Sequence, residues 1–259
     1  MIDMHCHILP GVDDGAKDLD MAIAMANAAR REGITHILAT PHHHTKDYNN
    51  TGDQVNQRVA RLQEELDRRG IDLIVFPSQE VHIHGELMAN ITKGDILFTD
   101  LNNSYLLIEF PSNEIPEFSY QIIFELLNRN IRPVIVHPER NTKLMEDPGI
   151  LRRFVDQGCY AQVTAASYLG VFGSEVEAAA RYMIEHRLVH MMASDAHRPD
   201  GVRGFHMAEA FKQLEKDYGV SLVFDYQQNV RSLVNGDHLI TDFEISTKKK
   251  PRKKWFGLF

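Results

Sequence analysis

The chain has 259 residues, of which 43% are hydrophobic and 25% charged, and its formal net charge at pH 7 is −8. This composition is typical of a soluble globular protein, and the negative charge argues against a general nucleic-acid binder. The sequence contains no apolar run approaching the roughly 20 residues that cross a bilayer. The two cysteines, Cys6 and Cys159, are too few for a disulfide framework and indicate a reducing cytoplasm.

Short apolar, β-branched runs alternate with longer segments of helical period. This regular alternation predicts parallel strands joined by right-handed crossovers, and the absence of a glycine-rich dinucleotide loop favours a closed or nearly closed barrel. No linker rich in proline, glycine or serine divides the chain, so we expect a single domain. The predicted strands are 2–5, 34–39, 72–76, 105–109, 132–136, 159–164 and 188–193, with a weaker eighth at 221–224; the predicted helices lie near 18–32, 55–69, 117–129, 148–157, 174–186 and 205–218.

The segment 55–69 has the clearest helical pattern. Its apolar residues Val55, Val59, Leu62 and Leu66 recur every three or four positions, which places them on one face of a helix. Glycine follows several predicted helices, as expected for a left-handed cap. These glycines are Gly33, Gly70, Gly158 and Gly219.

Histidine and carboxylate side chains recur where the predicted strands end. A single histidine at a strand end is more often a hydrogen-bonded structural residue, but the ends of parallel barrel strands meet at one rim, so these groups would cluster. Three clustered carboxylates would cost several kcal/mol unless cations compensate for their burial. The residues are His5 and His7 at the end of the first strand, His42 after the second, Glu80 after the third, Glu109 and His137 ending the fourth and fifth, and Asp195 and His197 after the seventh.

These eight residues predict a metal centre. They are more ligands than one catalytic zinc takes, so we expect two or three divalent ions. A mixed nitrogen and oxygen set without thiolate favours Mn, Fe or Zn over Ca or Mg. Two or three divalent ions carry more positive charge than the three carboxylates carry negative charge, so the site would be positive. A positive site suits a phosphate ester, because the ions bind its oxygens and lower the pKa of a bound water.

Two arginines lie near the predicted rim. Arg140 comes three residues after His137, and Arg203 follows the loop that contains Asp195 and His197. A guanidinium offers bidentate hydrogen bonds to phosphate oxygens, so both are candidate substrate-binding residues, with a surface salt bridge as the alternative. At most one or two histidines of the triplet at 42–44 should bind metal. His82 and His84 are expected to be loop residues.

Five sequence blocks, HCHILPGVDDGA, ATPHH, SQE, VIVHPER and ASDAHR, resemble the PHP (polymerase and histidinol phosphatase) superfamily. They look most like its bacterial capsule and exopolysaccharide protein-tyrosine phosphatases. The resemblance runs from Met1 to about residue 240 and implies a distorted (β/α)7 TIM-like barrel with up to three ions, usually manganese, with Fe, Zn, Co or Mg as alternatives. It implies one ion at His5, His7, Glu80 and Asp195, a second at Glu80, Glu109 and His137, and a third at His42 and His197.

The resemblance also implies the substrate, phosphotyrosine on the tail of a bacterial tyrosine kinase that governs polysaccharide export. The expected reaction is in-line attack by a metal-bridging hydroxide, with Arg140 and Arg203 neutralising the phosphate oxygens. Asp14 is the candidate acid or a residue that supports the ligands, and Asp13 is expected only to shape the loop. The alternatives are a small-molecule phosphatase of the histidinol-phosphate type and a non-catalytic metal-binding regulatory module.

The two cysteines do not fit a cysteine-based phosphatase. Such an enzyme needs an arginine six positions after its nucleophilic cysteine, whereas Val12 and Ala165 occupy these positions after Cys6 and Cys159. We therefore expect hydrolysis to depend on metal and to proceed without a phospho-enzyme intermediate.

The end of the chain differs in composition from the rest. We expect a phosphatase domain at 1–245 and a basic, aromatic tail at 246–259, whose last twelve residues are KKKPRKKWFGLF. Such a tail suits an anionic membrane surface or an acidic partner, and a solvated tail is the alternative. The expected location is the cytoplasm, with peripheral membrane contact through the tail.

Overall fold

The computed structural model describes residues 1–245, so the predicted tail at 246–259 lies outside the described residues. Within residues 1–245, nine strands alternate with ten α-helices. The elements are β1 (Ile2–Cys6), α1 (Leu19–Arg31), β2 (His36–Ala39), β3 (His42–His43), α2 (Gly52–Arg68), β4 (Ile74–Pro77), β5 (Glu80–His82), α3 (Leu87–Lys93), β6 (Tyr105–Glu109), α4 (Phe118–Asn128), β7 (Arg132–Val136), a 3-10 turn (Pro138–Arg140), α5 (Thr142–Glu146), α6 (Pro148–Asp156), β8 (Tyr160–Thr164), α7 (Ala165–Tyr168), α8 (Ser174–Glu185), β9 (Met191–Ala193), α9 (Met207–Tyr218) and α10 (Val220–Asn235).

The paired strands form two parallel sheets. One has the order β1-β2-β4 and the other the order β3-β5-β6-β7-β8-β9. A parallel bridge between Cys6 and Ala196 brings the end of β1 against the residues after β9. The α/β class with parallel strands is therefore confirmed.

Alternate residues of the strands enter two apolar clusters. On β6, Leu106 and Ile108 join the large cluster that includes the helices, whereas Tyr105 and Leu107 join a smaller cluster on the other side of the sheet. Val230 and Leu233 of α10 belong to this smaller cluster, and α10 contacts β1 and β9. This pattern follows from the two-residue period of a strand, which sends successive side chains to opposite faces.

The predicted face of α2 is confirmed. Val55, Val59, Leu62 and Leu66 are all buried along this helix. The four glycines predicted to end helices all have positive φ, which a residue without a Cβ adopts at little cost.

One predicted strand is wrong. The segment 221–224 lies in the first turns of α10, whose buried residues Leu222, Tyr226, Val230 and Leu233 recur every three or four positions. The short apolar run resembled a strand, but its continuation has the period of a helix. Among the described residues, no helix is long and apolar enough to span a membrane.

The polar residues of interest lie at or shortly after the carboxyl ends of β1, β2, β4, β6 and β7. His5 lies in β1, His42 begins β3, Glu80 begins β5 and Glu109 ends β6. His137 directly follows β7, and both sheets are parallel, so these ends converge on one side of the molecule.

Candidate metal centre

The first group of ligands surrounds the end of β1. His5 and His7 alternate along the chain, and their Nε2 atoms lie 3.2 Å apart. The Nε2 of His5 is 3.4 Å from one oxygen of Glu80 and 3.4 Å from Asp195 Oδ1. The Nε2 of His7 is 3.3 Å from the other Glu80 oxygen and 3.3 Å from the same Asp195 oxygen. Two imidazoles and two carboxylates therefore face one buried point, the donor set of a borderline divalent cation.

The second group shares Glu80 with the first. His42 Nδ1 lies 2.8 Å from Glu80 Oε2 and 3.7 Å from Glu109 Oε2. His137 Nε2 lies 2.7 Å from Glu80 Oε1 and 4.0 Å from Glu109 Oε1. One atom each of His42, Glu80 and Glu109 lies close enough to the others to hold a single ion. Glu80 can thus bridge two metal positions.

The third group contains a residue that the predicted ligand set omitted. Asp14 Oδ1 lies 3.1 Å from His197 Nε2 and 3.4 Å from His42 Nε2, and His7 completes the group. Burial opposes ionisation of Asp14, but the neighbouring imidazoles of His197 and His42 hold the pKa of this carboxyl well below its ordinary value. A carboxyl group held ionised is a better ligand than a proton donor, which favours a ligand over an acid interpretation of Asp14.

Hydrogen bonds behind the ligands fix two imidazole rings. His5 Nδ1 lies 3.0 Å from Gln162 Oε1, and His7 Nδ1 lies 2.7 Å from Asp13 Oδ2. The nitrogen that is hydrogen-bonded determines which nitrogen remains for a metal, so both rings present Nε2 to the centre. The sequence did not predict either contact; the adjacent aspartates were the only signal.

Unpaired buried atoms test whether the site fits metal ions. Asp14 Oδ1, His42 Nδ1 and Glu80 Oε2 are inaccessible and make no hydrogen bond within the part of the chain that the structure describes. Leaving such groups unpaired is costly, and a cation bound among them removes this cost. Burial opposes ionisation of Glu80, but the neighbouring His5 and His42 hold its pKa well below its ordinary value. The donor set therefore fits divalent ions.

Both predicted arginines reach the centre. The Arg140 side chain donates a hydrogen bond to Asp195 Oδ2, and its guanidinium carbon lies 5.5 Å from the centre of the Phe172 ring. Arg203 Nη1 donates to Asp14 Oδ2 over 3.0 Å, and Nη2 lies 2.7 Å from His197 Nε2. Each guanidinium is thus held beside a ligand carboxylate, where a phosphate could bind to it and to the ions.

Comparison with known protein families identifies the family to which this chain belongs. The family described as "Capsular polysaccharide synthesis, CpsB/CapC" matches residues 1–235. The chain belongs to the CpsB/CapC family.

Relatives in this family carry phosphatase names. The chain is 39% identical to the tyrosine-protein phosphatase YwqE of Bacillus subtilis, over 100% of both chains. It is 36% identical to the putative tyrosine-protein phosphatase CapC of Staphylococcus aureus, again over 100% of both. It is 30% identical to the tyrosine-protein phosphatase CpsB of Streptococcus pneumoniae, over 85% of this chain and 91% of that protein. The resemblance found in the sequence is confirmed.

Solved structures agree with this assignment. One match comes from work on YwqE from Bacillus subtilis and CpsB from Streptococcus pneumoniae, described as "unique metal-dependent tyrosine phosphatases". It has a TM-score of 0.89 and 38% identity, over 96% of this chain and 100% of that one. The lactonase Lmo2620 from Listeria monocytogenes matches with a TM-score of 0.52 at 13% identity, over 90% of this chain and 94% of that one, which shows a shared fold alone.

The CpsB/CapC chain has further histidines beside the centre. The His44 ring stacks on His84, with ring centroids 3.5 Å apart, and His43 is buried. His82, expected to be a loop residue, lies on β5 with its Nδ1 3.4 Å from Glu109 Oε2. His82 therefore reaches the edge of the centre, whereas His44 and His84 pack on each other.

The two cysteines of this CpsB/CapC protein are free and buried. Burial raises the pKa of Cys159 to about 12 and the pKa of Cys6 well above its ordinary value. Since the thiolate is the nucleophilic form, neither thiol is activated for attack.

Proposed function

We propose that this CpsB/CapC family member is a metal-dependent protein-tyrosine phosphatase. The observation that carries the proposal is the set of three overlapping ligand groups on one rim, joined through His7, His42 and Glu80 and flanked by Arg140 and Arg203. The names of its relatives support phosphotyrosine as the substrate class.

The proposed ligands divide among two to three ions. Nitrogen and oxygen donors without thiolate suit Mn, Fe or Zn, and the resemblance to the PHP superfamily favours manganese as the resident metal. When bound, these ions supply an activated water and neutralise phosphate oxygens. We assign the sites as follows: His5, His7, Glu80 and Asp195 to the first; Glu80, Glu109, His137 and His42 to the second; and Asp14, His42 and His197 to the third.

The arginines bind the substrate phosphate in this proposal. Arg140 and Arg203 each have further N–H groups beyond those that hold Asp195 and Asp14, and a guanidinium matches the geometry of phosphate oxygens. Tyrosinate, whose conjugate acid has a pKa of about 10, leaves without strong acid catalysis. Asp14 therefore acts as a ligand that also orients Arg203.

The biological substrate in this proposal is the phosphorylated tail of a bacterial tyrosine kinase that controls capsule or exopolysaccharide synthesis. The family's description supports a role in capsule synthesis. The proposed location is the cytoplasm, which the two free thiols support because a reducing compartment preserves them. We further propose that the basic tail at 246–259 binds an anionic membrane surface.

We also propose that the strands form a distorted (β/α)7 barrel within one domain at 1–245. Two residues separate β2 from β3 and two separate β4 from β5, so each pair counts as one interrupted strand. The bridge between Cys6 and Ala196 supports closure between the first and last strands.

The test is phosphatase activity of the full chain loaded with Mn²⁺. We expect turnover of a phosphotyrosyl peptide in preference to histidinol phosphate. EDTA or His5→Ala should abolish this activity because the first metal site is lost, whereas Cys6→Ser should retain most of it. His238→Ala is the matched control, since His238 is exposed. Loss of activity in Cys6→Ser with bound metal retained would contradict the proposed mechanism.

A further inference from the structure

The carboxylate of Asp13 is fully buried directly behind the metal centre. Its Oδ2 lies 2.7 Å from His7 Nδ1 and also accepts a hydrogen bond from the backbone N–H of His42 over 3.2 Å. Its Oδ1 accepts from the backbone N–H of Gly15 over 2.9 Å. One side chain thus connects the end of β1, the following loop and the start of β3.

We propose that Asp13 is a positioning residue that sets metal affinity through two candidate ligands, His7 and His42, at once. The inference rests on the proposed function, because it assumes that His7 and His42 bind metal. Asp13 orients the ring of the first and the backbone of the second.

The effect on His7 comes from its second ring nitrogen. A neutral imidazole carries its proton on one nitrogen and binds a metal through the other. Asp13 accepts a hydrogen bond from Nδ1–H, which leaves the lone pair of Nε2 facing Glu80 and Asp195 at 3.3 Å. The negative charge of the acceptor also makes the imidazole a stronger donor to the metal.

The effect on His42 comes through the main chain. The backbone N–H of His42 is fixed by the same Oδ2 atom, at the first residue of β3. The ring of His42 contributes to the group with Glu80 and Glu109 and to the group with Asp14. A shift of this backbone position therefore moves a ligand that both groups share.

The loop that carries Asp13 is fitted closely around His7. A Cβ on Gly15 would collide with the backbone oxygen and the Cβ of His7. The backbone N–H of Ala16 donates to the same His7 oxygen over 3.0 Å. This close contact holds the Asp13 carboxylate against the ring, so its position is a property of the folded loop.

His5 can be compared with His7, because its ring has a different hydrogen-bond partner. Its Nδ1 faces the neutral amide oxygen of Gln162 at 3.0 Å, so its ring is oriented without a charged acceptor. Loss of the Gln162 contact should affect the first metal site, whereas loss of Asp13 should affect every group that contains His7 or His42.

The test is Mn²⁺ binding to the full chain, measured by calorimetry without substrate. We expect Asp13→Ala to weaken binding of at least two ions by about 10- to 100-fold. Asp13→Asn should lie between this variant and the wild type, because its amide oxygen still accepts from His7 but carries no charge. The exposed Asp20 supplies the matched control, and Asp20→Ala should bind as the wild type does. Wild-type affinities in a folded Asp13→Ala protein would overturn the proposal, as would weakening of one ion alone.

A spectroscopic measurement separates positioning from a merely structural role. In the Zn²⁺-loaded protein, NMR of the histidine rings should show the Nδ1–H proton of His7 shifted downfield by its hydrogen bond to Asp13, and Asp13→Ala should lose this shift. An unchanged Nδ1–H shift of His7 in Asp13→Ala would overturn the proposal. If Asp13→Ala does not fold, Asp13→Asn carries the binding test, and wild-type affinity in that variant would likewise overturn it. A wild-type protein that binds Mn²⁺ without hydrolysing aryl phosphates would contradict the proposed function and leave the role of Asp13 intact.

Discussion

Arg140 is placed to contact both a proposed ligand, Asp195, and the proposed substrate phosphate. Its guanidinium is hydrogen-bonded to Asp195 and lies over the Phe172 ring, so it stays in one orientation beside the centre. Burial opposes the charged form, but Asp195 and Glu139 keep the pKa of Arg140 above its ordinary value. A permanent, oriented positive charge at this position complements the charge of a phosphate ester.

At the same scale, His190 makes stability depend on pH. It is buried, its Nδ1 accepts from the backbone N–H of Ala161 over 3.2 Å, and burial lowers its pKa to about 4. Below pH 6.5 the unfolded chain binds a proton that the folded protein does not, so the free energy of unfolding should fall by roughly 3 kcal/mol between pH 6.5 and 4. Urea unfolding at several pH values without added metal measures this loss. His190→Asn should remove that part of the pH dependence, and an unchanged slope would contradict the prediction.

The sequence indicated which candidate ligands would lie together, but not the contacts behind them. Glu80, Glu109 and His137 could be placed because the ends of parallel strands must converge. The contact between His5 and Gln162 joins residues 157 positions apart and depends on side-chain rotamers, which a strand pattern does not encode. The strand pattern also did not predict that Asp14 belongs to the third group, because Asp14 lies in a loop whose path only the structure shows.

At the scale of elements, α10 and the short strands were the hardest to predict. The two-residue strand β3 and the three-residue strand β5 are too short for a period to emerge. The run 221–224 contains apolar residues on both faces of α10, with Leu222 buried and Phe224 exposed, and this mixture resembled a buried strand. Long amphipathic helices such as α2 were predictable because packing and pattern agree.

The segment after α10 packs against this helix through Phe243. Phe243 is 1% exposed, with its ring 5.5 Å from Tyr226 of α10 and 5.9 Å from His190. Phe243→Ala should lower the free energy of unfolding by about 3–5 kcal/mol because it leaves a cavity. Phe224 on the same helix is 62% exposed, so Phe224→Ala should change the free energy by less than about 0.5 kcal/mol. Equal effects of the two substitutions on urea unfolding would show that this packing is unimportant.

At the scale of the whole molecule, every proposed ligand and both arginines lie between residues 5 and 203. A chain ending at residue 247 should therefore keep wild-type kcat/KM on a phosphotyrosyl peptide in solution. It should lose sedimentation with vesicles that contain anionic lipid, because it lacks the six Lys or Arg of the last twelve residues. Vesicles of neutral lipid are the control. Equal sedimentation of both chains with anionic vesicles would exclude the tail as the membrane contact.

The first proposed metal site joins distant parts of the chain, because His5 lies on β1 and His7 directly follows it, whereas Asp195 follows β9. During synthesis, the first two ligands leave the ribosome long before the last one exists. A nascent chain therefore cannot complete this site until nearly 200 residues have been made, and metal acquisition is a late step in the birth of the protein. Metal ions then stabilise only chains that are already almost complete, since an ion that binds the folded form alone shifts the equilibrium towards it.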